Sequence, residues 1–161
     1  TSTPSVAGDI CIVGSPVAGY WLLPDKAEKL FGSRLQDQGA SHLIYNDHVF
    51  AYTGGELRCL DLTGKELWVQ RVGGEISSPV LADGKIFAVC GDNLLVMIDA
   101  TTAKPAKFNK ARVPVLKCTS PAIADGKLFL RLKTAVGCYD LTKGPADPST
   151  LPPAPAVSKQ P

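Results

Sequence analysis

Five cysteines and two histidines are the residue types in this 161-residue sequence best suited to binding a metal or attacking a substrate. Zinc sites group such residues at short, regular spacings. The sequence has no Cys-x-x-Cys pair and no histidine at ligand spacing from a cysteine; the cysteines are Cys11, Cys59, Cys90, Cys118 and Cys138. Four of them lie among apolar neighbours, which indicates buried free thiols acting as small apolar side chains, with disulfide or redox roles as the alternative. No metal site is predicted.

The remaining candidates for catalysis are weak. His42 and His48 could share one face of a sheet, because side chains alternate along a strand, yet no acidic partner or nucleophile accompanies them. We therefore interpret them as exposed or turn-capping histidines. Trp21 and Trp68 fall at strand positions that packing explains better than stacking on a cofactor. The sequence predicts no catalytic residue, no cofactor-binding residue and no enzyme activity.

Three aspartates recur along the chain at intervals of about forty residues: Asp61, Asp99 and Asp140. A residue required once in every repeat is better explained by structure than by catalysis. In "LDLTGKELW" the Asp61 carboxylate can accept backbone N–H bonds from the turn that follows, and Gly64 supplies the permissive backbone. Trp68 then lies on the next strand, where its ring can fill the wedge between neighbouring sheets.

An internal repeat positions these residues. "SSPVLADGKIFAVCGDNLLVMIDATT" from Ser77 aligns with "TSPAIADGKLFLRLKTAVGCYDLTKG" from Thr119. A third copy precedes them, and a fainter fourth opens the chain, where Pro24 stands at the place of the aspartate. The approximate repeats are 1–38, 39–76, 77–118 and 119–144, followed by a Pro-rich tail or linker at 145–161.

Each repeat is composed of short β-rich runs joined by turn signals, such as Asp83-Gly84 between "SPVLA" and "KIFAV". No segment shows a convincing helical period. Four-stranded units of about 40 residues are typical of propeller blades. The sequence therefore predicts an all-β fold of four-stranded antiparallel blades, about three and a half to four in number. The last repeat lacks its outer strand, so we expect part of a longer propeller or a ring completed by another chain.

The repeat resembles that of the pyrroloquinoline-quinone-like (PQQ-like) β-propeller family, which includes quinoprotein alcohol dehydrogenases and BamB-like proteins. The residues that carry the resemblance are Cys59, Asp61, Thr63, Gly64, Lys65 and Trp68, with Asp99 and Asp140 in the later repeats. The resemblance covers roughly residues 3 to 144. It implies an extracytoplasmic location, periplasmic or secreted.

The resemblance also frames the functional hypotheses. The first is a non-catalytic scaffold that binds a protein partner or a second copy of the half-propeller. The alternative is a C-terminal fragment or subunit of a PQQ-dependent dehydrogenase whose cofactor ligands lie outside this chain. A sensory or sugar-binding propeller is a third hypothesis, supported by the Pro-rich tail alone.

Charge and hydropathy exclude two other classes of function. Seventeen basic and fifteen acidic side chains are scattered along the chain, which gives a net charge of +2 and no basic stripe for nucleic acid. No run of apolar residues is long enough to span a bilayer. The N-terminal residues lack an initiating Met and a signal peptide, so we expect a processed or cut chain.

Overall fold

The computed structural model describes residues 2–36, 39–91, 93–105, 108–116 and 119–142. These residues form fifteen β-strands and no helix, arranged in four antiparallel sheets of consecutive strands. The sheets are named blades 1 to 4 in chain order. The all-β prediction and the prediction of propeller blades are both confirmed.

The strands follow each other blade by blade. Blades 1 and 2 contain β1 (Ser5–Ala7), β2 (Ile10–Val13), β3 (Ala18–Leu22), β4 (Ala27–Gly32), β5 (Leu43–Tyr45), β6 (His48–Thr53), β7 (Glu56–Asp61) and β8 (Glu66–Arg71). Blades 3 and 4 contain β9 (Val80–Ala82), β10 (Lys85–Cys90), β11 (Leu94–Asp99), β12 (Asn109–Arg112), β13 (Ala122–Ala124), β14 (Lys127–Arg131) and β15 (Val136–Asp140).

Tight hairpins begin each blade. Asp83 and Gly84 both have positive φ, 47° and 64°, so the predicted turn between β9 and β10 has the left-handed backbone that two-residue hairpins favour. Asp125 and Gly126 repeat it between β13 and β14. The Gly73–Gly74 pair, in contrast, lies on the connection from blade 2 to blade 3.

The hydrophobic core consists of three clusters, and each cluster fills the interface between two adjacent blades. In β6, Val49 and Ala51 pack towards blade 1, whereas Phe50 and Tyr52 pack towards blade 3. Both faces of the middle strands are therefore buried. This explains why their sequences are almost continuously apolar rather than alternating.

The innermost strands of adjacent blades contact each other, β1 with β5 and β9 with β13. Hydrogen bonds join the blades at this inner rim: the Ser41 N–H donates to Ser78 Oγ at 3.0 Å, and the Ser5 hydroxyl donates to the His42 carbonyl. The rim therefore holds the four sheets in register around a common hollow.

Blade 4 has three strands within the described residues, since β15 pairs with β14 and no described strand pairs with its other edge. The residues predicted to replace the outer strand, and the whole Pro-rich tail, lie outside the described residues. Because it lacks an outer strand there, blade 4 is the least covered of the four sheets.

Candidate functional site

The Asp61 turn is a compact hydrogen-bonded unit. One carboxylate oxygen, Oδ1, accepts from the Thr63 N–H at 2.9 Å, the Thr63 hydroxyl at 2.6 Å and the Lys65 N–H at 3.0 Å. These bonds favour the charged form, so the pKa of Asp61 lies below its ordinary value of 3.8, with the Thr63 hydroxyl as the largest cause. The Oδ1 atom of the carboxylate thus holds the turn between β7 and β8.

The outer strand of blade 1 docks on this turn. The Phe31 ring of β4 lies against Gly64, whose φ is +82°. A Cβ built at Gly64 would lie 2.7 Å from a Phe31 ring carbon, a distance that side chains do not tolerate. Glycine is therefore required here for two reasons, its left-handed backbone and the close approach of the ring.

Trp68 makes the corresponding contact one blade further on. Trp68 lies on β8, opposite Cys59 of β7, and its side chain is 5% exposed. Its ring packs against the ring of Phe50, with the two centroids 6.0 Å apart. The indole Nε1–H donates to the Thr101 carbonyl of blade 3 at 2.9 Å. An outer-strand aromatic of one blade thus contacts the turn of the next, first through Phe31 and then through Trp68.

The other repeat aspartates differ from each other. Asp140 reproduces the Asp61 arrangement, because its Oδ1 accepts from the Thr142 N–H at 2.9 Å and the Thr142 hydroxyl at 2.6 Å. Asp99 is exposed, and its backbone carbonyl accepts from the Thr101 N–H at 3.0 Å. The position equivalent to Trp68 on β12 is Asn109, so blade 3 presents no aromatic ring there.

The strand register of blade 1 shows that the predicted alignment of the first repeat is wrong at the aspartate position. Asp61, Asp99 and Asp140 pair across their hairpins with His48, Lys85 and Lys127. The corresponding pair in blade 1 is Trp21 with Ile10, so Trp21 occupies the aspartate position and Pro24 does not. Trp21 lies on a strand as predicted, but it is 48% exposed, so packing covers only about half of its side chain.

The four described cysteines differ in burial: Cys59 and Cys90 are buried, Cys11 is half-buried and Cys138 is exposed. Cys59 and Cys90 are buried between blades 2 and 3, and burial raises their pKa values to about 11 and about 12. The nearby Asp61 carboxylate raises the pKa of Cys59 further. Cys138 is exposed, contrary to the expectation of burial, because the face of blade 4 on which it lies has no neighbouring sheet among the described residues; Cys118 lies outside the described residues.

The two histidines are not brought together as a pair. His48 begins β6, and its Nδ1 bonds to the Asn46 carbonyl, which is the turn-capping role that the sequence predicted. His42 precedes β5 and is buried, so the prediction of exposure is wrong for this residue.

An open hollow of about 570 Å³ lies among the inner strands of the four blades. Its lining is mostly apolar, including Val6, Leu43, Leu81 and Ile123. The described residues that line it include no Asp, Glu, Lys or Arg, so the hollow offers no charged group to orient a polar ligand.

The described ranges also lack two other features. They contain no group of three His, Cys, Asp or Glu side chains close enough to share a metal ion. They likewise contain no helix of the length and hydrophobicity needed to cross a membrane.

The exposed large apolar side chains are concentrated in the first and last blades. Seven large apolar side chains are exposed in the described part of the chain, and six lie in the repeats of blades 1 and 4: Val6, Trp21, Leu22, Val136, Tyr139 and Leu141. The seventh, Leu67, lies on the outer strand of blade 2.

Register shows which of these side chains point away from the neighbouring blade. Ile10 and Ile12 of blade 1 pack towards blade 2, so Cys11 and its cross-strand partner Val6 lie on the opposite face. Val6 is 59% exposed. Blade 1 therefore presents an uncovered apolar face at its end of the arc, and Val6 on this face also borders the hollow among the inner strands.

Blade 4 presents the equivalent face at the other end of the arc. Leu128 and Leu130 pack towards blade 3, so Phe129 and Val136 lie on the outer face. Val136 is 71% exposed. Both ends of the arc thus carry apolar surface of the kind that is buried between blades elsewhere in the structure.

These features define a β-propeller arc of four blades with docked outer strands and open end faces. The family model of the outer membrane protein assembly factor BamB matches residues 25–147, more than two thirds of the chain. The chain belongs to this family of PQQ-like repeat propellers, as the repeat motif predicted. No curated protein sequence matches the chain.

Solved structures agree on the fold. BamB from Moraxella catarrhalis is 16% identical with a TM-score of 0.68, over 85% of this chain and 42% of that chain. The computationally designed Ika4 protein is 12% identical with a TM-score of 0.59, over 88% of this chain and 92% of that one. A europium-containing methanol dehydrogenase is 18% identical with a TM-score of 0.51, over 69% of this chain and 24% of that chain. The chain thus spans about two fifths of the BamB chain, and these identities show the fold alone.

Proposed function

We propose that this chain is a non-catalytic propeller scaffold that binds protein partners within a larger, extracytoplasmic assembly. The observation that carries the proposal is the pair of uncovered apolar end faces on blades 1 and 4. Exposed apolar patches of this kind mark interaction surfaces in folded proteins. Membership of a family described as an outer membrane protein assembly factor supports the same conclusion.

The composition of the end faces indicates a partner that is itself blade-like. Phe129 and Cys138 form a cross-strand pair on the outer face of blade 4, as Phe50 and Cys59 do on the buried face of blade 2. The Phe50 and Cys59 pair packs against the sheet of blade 3. The outer face of blade 4 therefore suits a sheet of similar shape, from another protein or from a second copy of this chain.

In the proposed scaffold, the repeat motif has a structural role, which is to join adjacent blades. Asp61, Thr63, Gly64 and Lys65 shape a turn that receives the ring of the preceding blade, and Trp68 docks on the next blade. We assign no catalytic role to the motif, because Oδ1 of the Asp61 carboxylate accepts three hydrogen bonds from its own turn.

Copurification with matched surface variants tests the proposal. Val136→Lys places a charge on the outer face of blade 4, whereas Leu67→Lys places the same charge on an exposed apolar site away from both end faces. We expect a protein partner to copurify with the unaltered chain and with Leu67→Lys, and to be lost with Val136→Lys. Equal recovery from both variants would show that the end face of blade 4 is not the binding surface.

The alternative function, a part of a PQQ-dependent dehydrogenase, has its own test. The chain, and any longer protein that contains it, would be mixed with PQQ and calcium and assayed for cofactor binding and for dye-linked alcohol oxidation. The scaffold proposal predicts neither. Saturable PQQ binding accompanied by alcohol oxidation would replace the scaffold with the enzyme.

A further inference from the structure

An apolar groove of about 340 Å³ lies where blade 1 meets blade 2. It is lined by Trp21, Ile10, Leu30 and Leu62, with the Ala7–Asp9 hairpin forming one rim. The Leu22 N–H donates to the Asp9 carbonyl at 2.7 Å, which ties this rim to the end of β3. The groove is therefore preformed, and its volume is in the range of clefts that hold small ligands or short peptide segments.

The repeat architecture does not explain this groove. Three blades carry an aspartate at the position that Trp21 occupies, and Asp61 and Asp140 hold their own turns there. In blade 1 the turn is closed instead by the Leu23 N–H donating to the Lys26 carbonyl, so a tryptophan is not needed for it. A half-exposed indole on a preformed apolar groove is a typical platform for a proline-rich ligand.

The sequence contains such a ligand. The segment "TLPPAPAVSKQP", residues 150–161, includes Pro152, Pro153 and Pro155, which fix backbone φ near the polyproline II value. Polyproline II segments bind aromatic-lined grooves because little conformational entropy is lost when they dock. We propose that the Pro-rich segment of this chain binds intramolecularly in the Trp21 groove.

Chain length and charge are consistent with this occupant. The thirteen residues from Thr142 to Pro155 span about 40 Å as polyproline II, whereas a unit of this size has a radius of gyration of about 14 Å. Asp9 is the only charged residue on the described lining of the groove, and the segment 150–161 carries one cation, Lys159, and no acidic side chain. Tethering in one chain also raises the effective concentration of the segment at the groove.

Nuclear magnetic resonance of the two indole N–H groups tests the proposal in the full chain. Trp21→Phe assigns the two signals, and Trp68 serves as an internal reference because its N–H is buried in a hydrogen bond to Thr101. Replacing Pro152, Pro153 and Pro155 with serine should shift the Trp21 signal and leave the Trp68 signal in place. The matched control, serine at Pro145 and Pro148, should shift neither.

A synthetic peptide of residues 150–161 provides the converse experiment. Added to the triple serine variant, it should return the Trp21 signal to its original position in a saturable way, and Trp21→Ala should weaken this binding at least tenfold. A Trp21 signal that is identical in the unaltered chain and the triple variant would overturn the proposal. A shift that varies with protein concentration would identify the segment of a second copy as the occupant and would overturn intramolecular docking.

Discussion

Trp68→Ala is the substitution that most directly tests how the blades are held together. The Trp68 ring is buried between blades 2 and 3, against Phe50, and its indole N–H bonds to the Thr101 carbonyl. If the ring wedges the two sheets together, its removal should lower the free energy of unfolding without altering the strands of blades 1 and 4.

The magnitude follows from the buried surface. A buried tryptophan removes about 200 Å² from water, and about 25 cal/mol per Å² gives about 5 kcal/mol. Partial collapse of the cavity reduces this, so we expect Trp68→Ala to cost about 3 to 5 kcal/mol. Trp68→Phe keeps much of the ring and loses the hydrogen bond, so it should cost less, about 1 to 2 kcal/mol.

The assay is urea unfolding followed by far-ultraviolet circular dichroism, with tryptophan fluorescence as a second probe, which reports Trp21 alone in the two variants and both tryptophans in the unaltered chain. The two variants and the unaltered chain would be compared at one pH and one protein concentration. A loss below about 1 kcal/mol for Trp68→Ala would mean that the ring does not wedge the sheets, and the docking account would be refuted.

Three further outcomes are expected. Gly64→Ala should destabilise the chain by about 1 to 3 kcal/mol more than the control Gly73→Ala, because both have a left-handed backbone but only the Gly64 methyl collides with a ring; equal urea midpoints would contradict this. The pKa of Asp61 is lower in the folded chain than its ordinary value of 3.8. The ionised carboxylate therefore stabilises the fold above about pH 3.8, and this stabilisation is lost as the pH falls through the folded-state pKa. Asp61→Asn should remove that part of the pH dependence of the free energy of unfolding. The same pH dependence in Asp61→Asn and the unaltered chain would contradict this role of Asp61. At pH 8, a maleimide should label Cys138 readily and Cys59 only after unfolding, since Cys59 is buried and its pKa is raised to about 11; comparable native rates, measured by mass spectrometry, would oppose this.

The blade pattern could be predicted from sequence because each blade repeats the same local signals. The Asp-Gly hairpins, the apolar middle strands and the forty-residue period all act locally, and the sheets follow from them. The prediction missed Phe31 as a docking group, although "KLF" of the first repeat, which ends at Phe31, aligns with "ELW" of the second, which ends at Trp68. The contact of Phe31 with Gly64 is the structural counterpart of that alignment.

Features that depend on pairing between distant segments could not be predicted. Trp21 takes the aspartate position because of strand register, and the longer turn after it concealed this in the alignment. His42 is buried by its neighbours in the fold, although its sequence context is that of a turn. Cys138 has apolar neighbours in sequence but is exposed, since its burial requires a further sheet packed on the outer face of blade 4, and the described residues contain none.

The solution mass of the purified chain, measured by light scattering across a range of concentrations, tests the central claim most directly. In an isolated preparation a second copy is the partner available to the end faces. The account predicts an assembly of at least twice the 17.0 kDa of one chain, reduced to a monomer by Val136→Lys and unaffected by Leu67→Lys. A chain that stays at 17.0 kDa at every concentration would contradict the claim that the end faces are association surfaces.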